Sequence, residues 1–490
     1  MILNPFSSEA RPALAGHRGA VAAAHPLAVA AGTRLLGEGG SAVDALIAAQ
    51  AVLAVVSPDA CGLGGDGLAL VREPGGRVTA VNGAGPAAAG AERAASTGGL
   101  AVTVPGLVDA WSELHRRWGR LGMERALAPA VTLAEEGARV DADLARARAA
   151  QEGRLRAGGA GDWALMRLGP GERHVQPALA ATLRAVAERG RSAFHEGALA
   201  AGIARAVQAA GGAMTEADLA PPAVEVKEPL SLSFGGATVH VQPPASQGVL
   251  LLLALHGFQS GGFGAGGALE HLGVELTQAA FSLREDVAEG SALLPRLPAI
   301  DPERAGRRGG PRAYLHTAGV AAADARGLVA SSLVSVFDDF GSCVFVPEGG
   351  FTLNNRAAGF TGGANAFRPG ARPVHTLAPA LVTRGDEVAA ISTPGADGQV
   401  QTLLQVLLAW LVGGRDLADA VAAPRWRSED GRLLVERGHP AREDLAARGH
   451  EVVDMDRGDV RFGAVTAAGL HQGAPWALPD WRRTTWAGVA

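Results

Sequence analysis

The chain has 490 residues, 48% of them hydrophobic and 19% charged, so it can bury a sizeable core and bulk disorder is excluded. Its net charge of −5 gives no basic excess, and we therefore expect no nucleic-acid partner. The longest apolar run, Val249 to Leu255, is too short to cross a bilayer, so no membrane association is expected.

The two cysteines, Cys61 and Cys343, lie far apart in the sequence and form neither a zinc-ligand motif nor a disulfide framework. The N-terminus lacks the basic start and apolar core that are typical of a secretory signal. These features favour a cytoplasmic protein, and no metal or other cofactor site is expected.

The first predicted elements are helices followed by a strand pair. Residues Ala22 to Val56 are predicted as helix, broken at Gly39-Gly40 and restarted with Ser41 as the N-cap. The second run is small or apolar on every face, which predicts a buried helix. Beyond it, LALVREPGGRVTAVNG predicts two strands joined at Pro74-Gly75-Gly76.

A glycine-rich segment from Gly62 to Gly67 lies between these elements and satisfies the GxGxxG pattern. A dinucleotide site needs a helix directly after such glycines, whereas a strand-like hairpin follows here. The pattern therefore favours a tight turn where chain or ligand approaches closely. Asp66 is interpreted as a turn residue, with a place in a site as the alternative.

The rest of the chain alternates helices and strands. Residues 107 to 210 are mostly helical by periodicity, and PLSLSFGGATVHVQPP predicts a strand pair before two further helices. Residues 300 to 312 are polar and glycine-rich, which predicts an exposed loop. Two strand–turn–strand units and a short apolar helix follow, and the order as a whole predicts an α+β fold.

Six segments of this chain resemble γ-glutamyltranspeptidases, and they occur in that family's order. They begin with the run from His25 to Val71 and continue with VTVPGLVDAW, FGSCVFVPEGGFTLNN, RPVHTLAPALV, STPGADGQVQTLLQV and DAVAAPRW. The resemblance implies an N-terminal-nucleophile hydrolase fold, a four-layer αββα sandwich. It also implies a precursor that cleaves itself into a large subunit, residues 1–316, and a small subunit, residues 317–490, which form one intertwined catalytic unit.

The resemblance places the nucleophile at Thr317, because the family has an aspartate seven residues further on and Asp324 occupies that position. Cleavage is then expected between His316 and Thr317. An alcohol needs an adjacent base to act as a nucleophile, and the freed α-amine of an N-terminal threonine is that base. By resemblance, Ser335 carries the hydroxyl that orients the nucleophile.

The oxyanion hole of the family implies backbone N–H donors from Gly395 and Ala396. The family usually has two glycines there. Alanine fits this position without strain only if its φ is negative.

The substrate pocket departs from that of γ-glutamyl enzymes. The segment VNGAGPAAAG lacks the family's arginine, Phe337 stands in the asparagine position, and His375-Thr376 replaces a serine pair. With NNRAAGF, this pattern resembles the oxamate-amidohydrolase-like branch, in which Arg356 would grip a small carboxylate- or carbonyl-bearing acyl group. His375 would donate a hydrogen bond or titrate near neutral pH.

Structural alternatives stay open for these side chains: Arg356 as a salt-bridge partner and His375 as a satisfied core histidine. Arg372 is interpreted as structural. The predicted function is a self-processing amidohydrolase that passes an acyl group from a small amide substrate to water or an amine. The alternatives are a true γ-glutamyltransferase or glutathione hydrolase, and an unprocessed binding protein. A homodimer is a further expectation.

Overall fold

The computed structural model describes residues 9–261, 266–308 and 317–490. His316 lies outside the described residues. Among the helices of the described ranges, none is long and apolar enough to cross a membrane.

The strands belong to two large and three small sheets. They are β1 Leu14–Ala15, β2 Gly19–Ala23, β3 Asp66–Arg72, β4 Val78–Gly83, β5 Ala138–Arg139, β6 Arg173–His174, β7 Glu225–Lys227, β8 Leu230–Phe234, β9 Ala237–Val241, β10 Ala318–Asp324, β11 Val329–Ser335, β12 Phe345–Val346, β13 Phe351–Thr352, β14 Ala380–Arg384, β15 Glu387–Ser392, β16 Trp426–Glu429, β17 Arg432–Glu436, β18 Val452–Met455, β19 Thr466–His471, β20 Ala474–Pro479 and β21 Trp486–Val489.

Fifteen α-helices lie within the described residues, and several of them cover the outer faces of the large sheets. They are α1 Pro26–Gly37, α2 Ala42–Val56, α3 Leu107–Trp118, α4 Met123–Glu136, α5 Ala142–Ala150, α6 Glu152–Ala157, α7 Pro177–Arg189, α8 Ser192–His195, α9 Gly197–Ala209, α10 Glu216–Leu219, α11 Gly248–Gly261, α12 Gly267–Phe281, α13 Gly398–Leu407, α14 Leu417–Ala422 and α15 Arg442–Ala447.

Two seven-stranded sheets form the centre of the molecule. One has the order β21-β2-β10-β11-β3-β4-β7 and the other β1-β20-β19-β15-β14-β9-β8. Small side chains such as Ala321 and Ala390 fill the space between them. The outer face of the first sheet packs on α1 to α4 and that of the second on α11 to α13. The expected four-layer αββα arrangement is confirmed.

Local sequence explains the central hairpin that begins just after Thr317. The Asp324 carboxylate accepts hydrogen bonds from the N–H groups of Arg326 and Leu328 at 2.9 and 3.2 Å. Gly327 closes the turn with a φ of 96°, a conformation that favours glycine. Strands β10 and β11 therefore pair in a fixed register, with Ala318 opposite Val334.

Most predicted elements are confirmed, including the caps and turns. Ser41 and Asp44 form a capping box at the start of α2, whose residues are all buried. One boundary was wrong, because Ala22 belongs to β2 and α1 begins only at Pro26. Strand β2 pairs with β10, a long-range contact that outweighs the helical propensity of alanine.

Candidate active site

Thr317 lies immediately before β10 and is 5% exposed. Its Oγ1 is 3.5 Å from Oγ of Ser335, the last residue of β11. Ser335 Oγ in turn accepts a hydrogen bond from the Phe337 N–H at 2.9 Å. The hairpin thus brings the two predicted hydroxyls side by side, at the outer limit of hydrogen-bonding distance.

The second sheet comes close to the first at this end. A Cβ added at Gly319 would lie 2.8 Å from both Ser392 Oγ and Thr466 Oγ1, so only glycine permits this approach. Ser392 ends β15, and the loop that carries Gly395 and Ala396 follows directly. The close approach therefore sets the predicted oxyanion loop beside the start of β10.

The backbone of this loop does not meet the condition that alanine requires. Gly395 has φ of 123° and Ala396 has φ of 48°, so the alanine adopts the left-handed conformation rather than a negative φ. For an L-residue that conformation costs about 1–2 kcal/mol. Within the described part of the chain, neither N–H is used in a hydrogen bond to protein, whereas each carbonyl oxygen accepts two.

Arg356 is fully buried and lies at the centre of a charged cluster. Its Nε is 3.1 Å from Asp66 Oδ2, its Nη1 donates to Thr376 Oγ1 at 3.1 Å, and its guanidinium carbon lies 4.4 Å from the centre of the Phe337 ring. Within the described chain, Arg356 Nη2 and Asp66 Oδ1 have no hydrogen-bond partner. Leaving a buried donor or acceptor unpaired is costly, and both atoms have capacity for a further hydrogen bond.

His375 is buried beside the same carboxylate. Its Nδ1 accepts from the Leu377 N–H at 3.2 Å, so the ring proton is on Nε2, which donates to Asp66 Oδ2 at 3.0 Å. Burial, together with the positive charge of Arg356, lowers the pKa of His375 to about 4. The expectation that His375 titrates near neutral pH is therefore wrong, because a second positive charge in this closed cluster is too costly.

Asp66, interpreted from sequence as a turn residue with a place in a site as the alternative, contacts both Arg356 and His375. It is the first residue of β3, paired in register with Ser335, and its side chain has no exposed surface. The preceding glycines allow this: a Cβ at Gly65 would lie 2.4 Å from the Ser335 carbonyl oxygen. The prediction of a turn with close backbone approach is confirmed, and the hairpin after it was correctly placed.

Two further residues connect separate backbone segments around the site through side-chain hydrogen bonds. Gln247, at the start of α11, donates from Nε2 to the carbonyls of Thr376 and Ala396 at 2.8 and 2.9 Å. Asn354 binds the backbones of Gly64 and Thr103 through its side chain. Sequence reasoning missed both, since an amide side chain carries no local signal of which carbonyls it will reach.

Arg372 proves structural, as predicted. Its guanidinium binds the carbonyls of Ala84 and Ala223 and the carboxylate of Glu225, at 2.7 to 3.0 Å.

Comparison with known proteins identifies the family of this chain. The model of the gamma-glutamyltranspeptidase family matches residues 28–299 and 298–490. The chain belongs to this family. It is accordingly an amidohydrolase of the N-terminal-nucleophile class, as the αββα layers indicate.

Similar family members are enzymes of several specificities. The chain is 33% identical to an oxamate amidohydrolase proenzyme of Klebsiella pneumoniae subsp. pneumoniae, over 89% of this chain and 91% of that protein. It is 34% identical to the glutathione hydrolase-like YwrD proenzyme of Bacillus subtilis, over 84% and 85% of the two chains. The cephalosporin acylase structure from Bacillus halodurans superposes with a TM-score of 0.88 at 28% identity, covering 100% of this chain and 98% of that one.

Proposed function

We propose that this family member cuts itself before Thr317 and then uses that threonine to cleave the amide bond of a small acyl substrate. The Thr317 hydroxyl first attacks the carbonyl carbon of His316, and the peptide bond breaks as the acyl group moves to Oγ1. This shift frees the α-amine of Thr317, and water then hydrolyses the ester to give the carboxylate of His316 and the free hydroxyl of Thr317. Residues 1–316 and 317–490 then form the large and small subunits.

In the mature enzyme, the Thr317 α-amine takes the hydroxyl proton while Oγ1 attacks the substrate carbonyl. Ser335 orients the nucleophile, as its Oγ at 3.5 Å from Thr317 Oγ1 suggests. The free N–H groups of Gly395 and Ala396 stabilise the negative oxygen of the tetrahedral intermediate. The amine leaves with a proton, and water or a second amine takes the acyl group from Oγ1.

We infer the substrate class from the acyl pocket. The observation that supports it is that Nη2 of buried Arg356 has no hydrogen-bond partner among the described residues. A carboxylate or carbonyl oxygen of a small acyl group would accept from this nitrogen. Phe337 packs against the same guanidinium, while His375 and Thr376 hold the cluster in place. The relative named for oxamate, which carries a carboxylate next to its amide, supports this assignment.

One observation favours a γ-glutamyl substrate as the second candidate. Asp66 provides a buried carboxylate beside Arg356, and its Oδ1 has no partner among the described residues. An α-ammonium group would pair with it. We rank this candidate second because Arg356 already balances the charge of Asp66, and His375 donates to the same carboxylate.

Denaturing gel electrophoresis tests the cleavage. The purified 49.6-kDa chain should separate into bands of about 32 and about 18 kDa, in proportion to subunit length. T317A should remain at full length, and T484A, which alters an exposed threonine, should process normally. An uncut wild-type chain after long incubation would disprove the cleavage.

Substrate assays test the pocket separately. Processed enzyme should release ammonia from oxamate and related small amides faster than it hydrolyses γ-glutamyl-p-nitroanilide. Faster turnover of the γ-glutamyl compound would replace the first candidate with the second and leave the Thr317 mechanism standing.

Compartment and assembly are secondary proposals. Cys61 and Cys343 are both buried and free, which supports a reducing cytoplasm. A homodimer of the two-subunit unit is also proposed, and size-exclusion chromatography with light scattering checks it.

A further inference from the structure

A second polar cluster lies away from the candidate active site. His271 and Glu275 are one turn apart on α12 and therefore share a face of that helix. His450, which follows α15, completes the cluster. All three side chains are buried, and one potential ligand atom from each lies within 4.8 Å of the others.

Hydrogen bonds fix the orientation of the two imidazoles. His271 Nε2 is 3.0 Å from the Asp301 carbonyl oxygen, and because a carbonyl only accepts, Nε2 carries the ring proton. With both rings neutral, the lone pair of His271 Nδ1 then points at His450 Nε2, 2.8 Å away. A metal-binding histidine is usually held this way, by a bond from its other nitrogen to a carbonyl.

Glu275 has capacity left for an ion. Its Oε1 accepts from the Gly306 N–H at 3.0 Å and its Oε2 binds Arg308 Nη1 at 2.9 Å. A carboxylate has about four acceptor positions, so two remain.

We propose that His271 Nδ1, His450 Nε2 and Glu275 bind one divalent transition-metal ion of the zinc class. The two-imidazole, one-carboxylate donor set suits zinc, with water as the fourth ligand. For two Zn–N bonds of tetrahedral geometry, the nitrogens must move apart to about 3.3 Å. The His450 proton moves from Nε2 to Nδ1 by exchange with solvent, so the ring stays neutral.

Unlike the candidate active site, this cluster would join residues before and after residue 317 through one ion. His271 and Glu275 precede residue 317, whereas His450 follows it. Asp301, Gly306 and Arg308 also contact the cluster and belong to the last described segment before residue 317. A bound ion would join α12, which precedes residue 317, to His450, which follows it, whether or not the chain is cut.

Metal titration of the untagged full chain, after chelator treatment and dialysis, tests the site. Zn²⁺ binding by calorimetry, and Co²⁺ binding by visible ligand-field absorption, should both saturate at one ion per chain. H271Q and H450Q should weaken binding by at least about 100-fold, since even indirect supporting residues are worth 10- to 100-fold. H471Q, which alters an exposed histidine beside Glu387, should bind like the wild type.

Equal affinity in wild type, H271Q and H450Q would overturn the proposal. Because a buried substitution can impair folding, a second measurement uses the wild type alone. Crystals grown with Zn²⁺ should show anomalous scattering at the zinc edge between His271 and His450. An ion found elsewhere, or no saturable binding, would equally reject the site.

Discussion

The two sides of the candidate active site use different chemical groups. On the nucleophile side, Thr317, Ser335 and the Gly395–Ala396 loop contribute hydroxyl and backbone N–H groups, positioned by sheet register. On the acyl-binding side, Arg356 and Asp66 form a fully buried ion pair. The first side follows from the fold itself, whereas the second depends on charges that must balance one another. Substrate selectivity can therefore change without disturbing the proposed chemistry.

The largest effect is expected where the ion pair is broken. Asp66→Asn leaves the Arg356 guanidinium buried without its counter-charge, which should lower the free energy of unfolding by about 3–5 kcal/mol. Urea denaturation measures this. The control is Glu387→Gln, which breaks the half-exposed pair with Arg384 and should cost no more than about 1 kcal/mol. Equal losses in both variants would mean that burial does not distinguish the two pairs.

Gln247 links the two sides, so its loss should affect catalysis more than stability. Gln247→Met removes the donor to the Thr376 and Ala396 carbonyls, and kcat should fall by about 10-fold or more, at 0.5–1.5 kcal/mol per hydrogen bond. Steady-state kinetics measures this. Gln208→Met removes one bond to a carbonyl remote from the site and should leave kcat unchanged. An unchanged kcat in the Gln247 variant would contradict a positioning role.

Acid should weaken the acyl-binding side through His375. Because folding lowers the pKa of His375 from its ordinary 6.5 to about 4, the unfolded chain takes up a proton first as the pH falls. The free energy of unfolding should therefore decrease between pH 6.5 and about 4, and it should be unaffected by this group above that range.

His375→Gln should make that decrease less steep, as urea titrations at several pH values will show. Four other buried histidines, His174, His195, His439 and His450, contribute in the same direction. The slope should therefore shrink without vanishing. A variant as steep as the wild type would mean that His375 does not stay neutral in the fold.

The smallest effect is expected on the nucleophile side. Ala396→Gly relieves the left-handed alanine, and the free energy of unfolding should rise by about 0.5–1 kcal/mol after the entropy of the added glycine is counted. Ala378→Gly, where φ is not positive, should instead destabilise the protein by a similar amount. Thermal melting compares the two, and matching signs would show that Ala396 is unstrained.

Sequence predicted those parts of the molecule that local pattern determines. The hairpin with Asp324 at its turn, the cap at Ser41 and the break before the strand of Thr317 all depend on residues within a few positions of one another. The role of Asp66 depends on Arg356, which lies 290 residues further along the chain. The strand at Ala22 likewise needs β10 as its partner. Neither the left-handed φ of Ala396 nor the hydrogen-bond partners of Gln247 can be predicted from composition or residue spacing.

The interleaving of the central sheet has a consequence for refolding. Strands β10 and β11, which follow residue 317, lie side by side between β2 and β3, which precede it, so both parts of the chain contribute to one sheet. A chain cut before Thr317 becomes two polypeptides that share this sheet. Their recovery from denaturant would be a second-order reaction that slows on dilution, whereas uncut T317A would refold at a rate independent of concentration. Cleavage would thus replace the folding of one chain by an association of two chains that depends on their concentration.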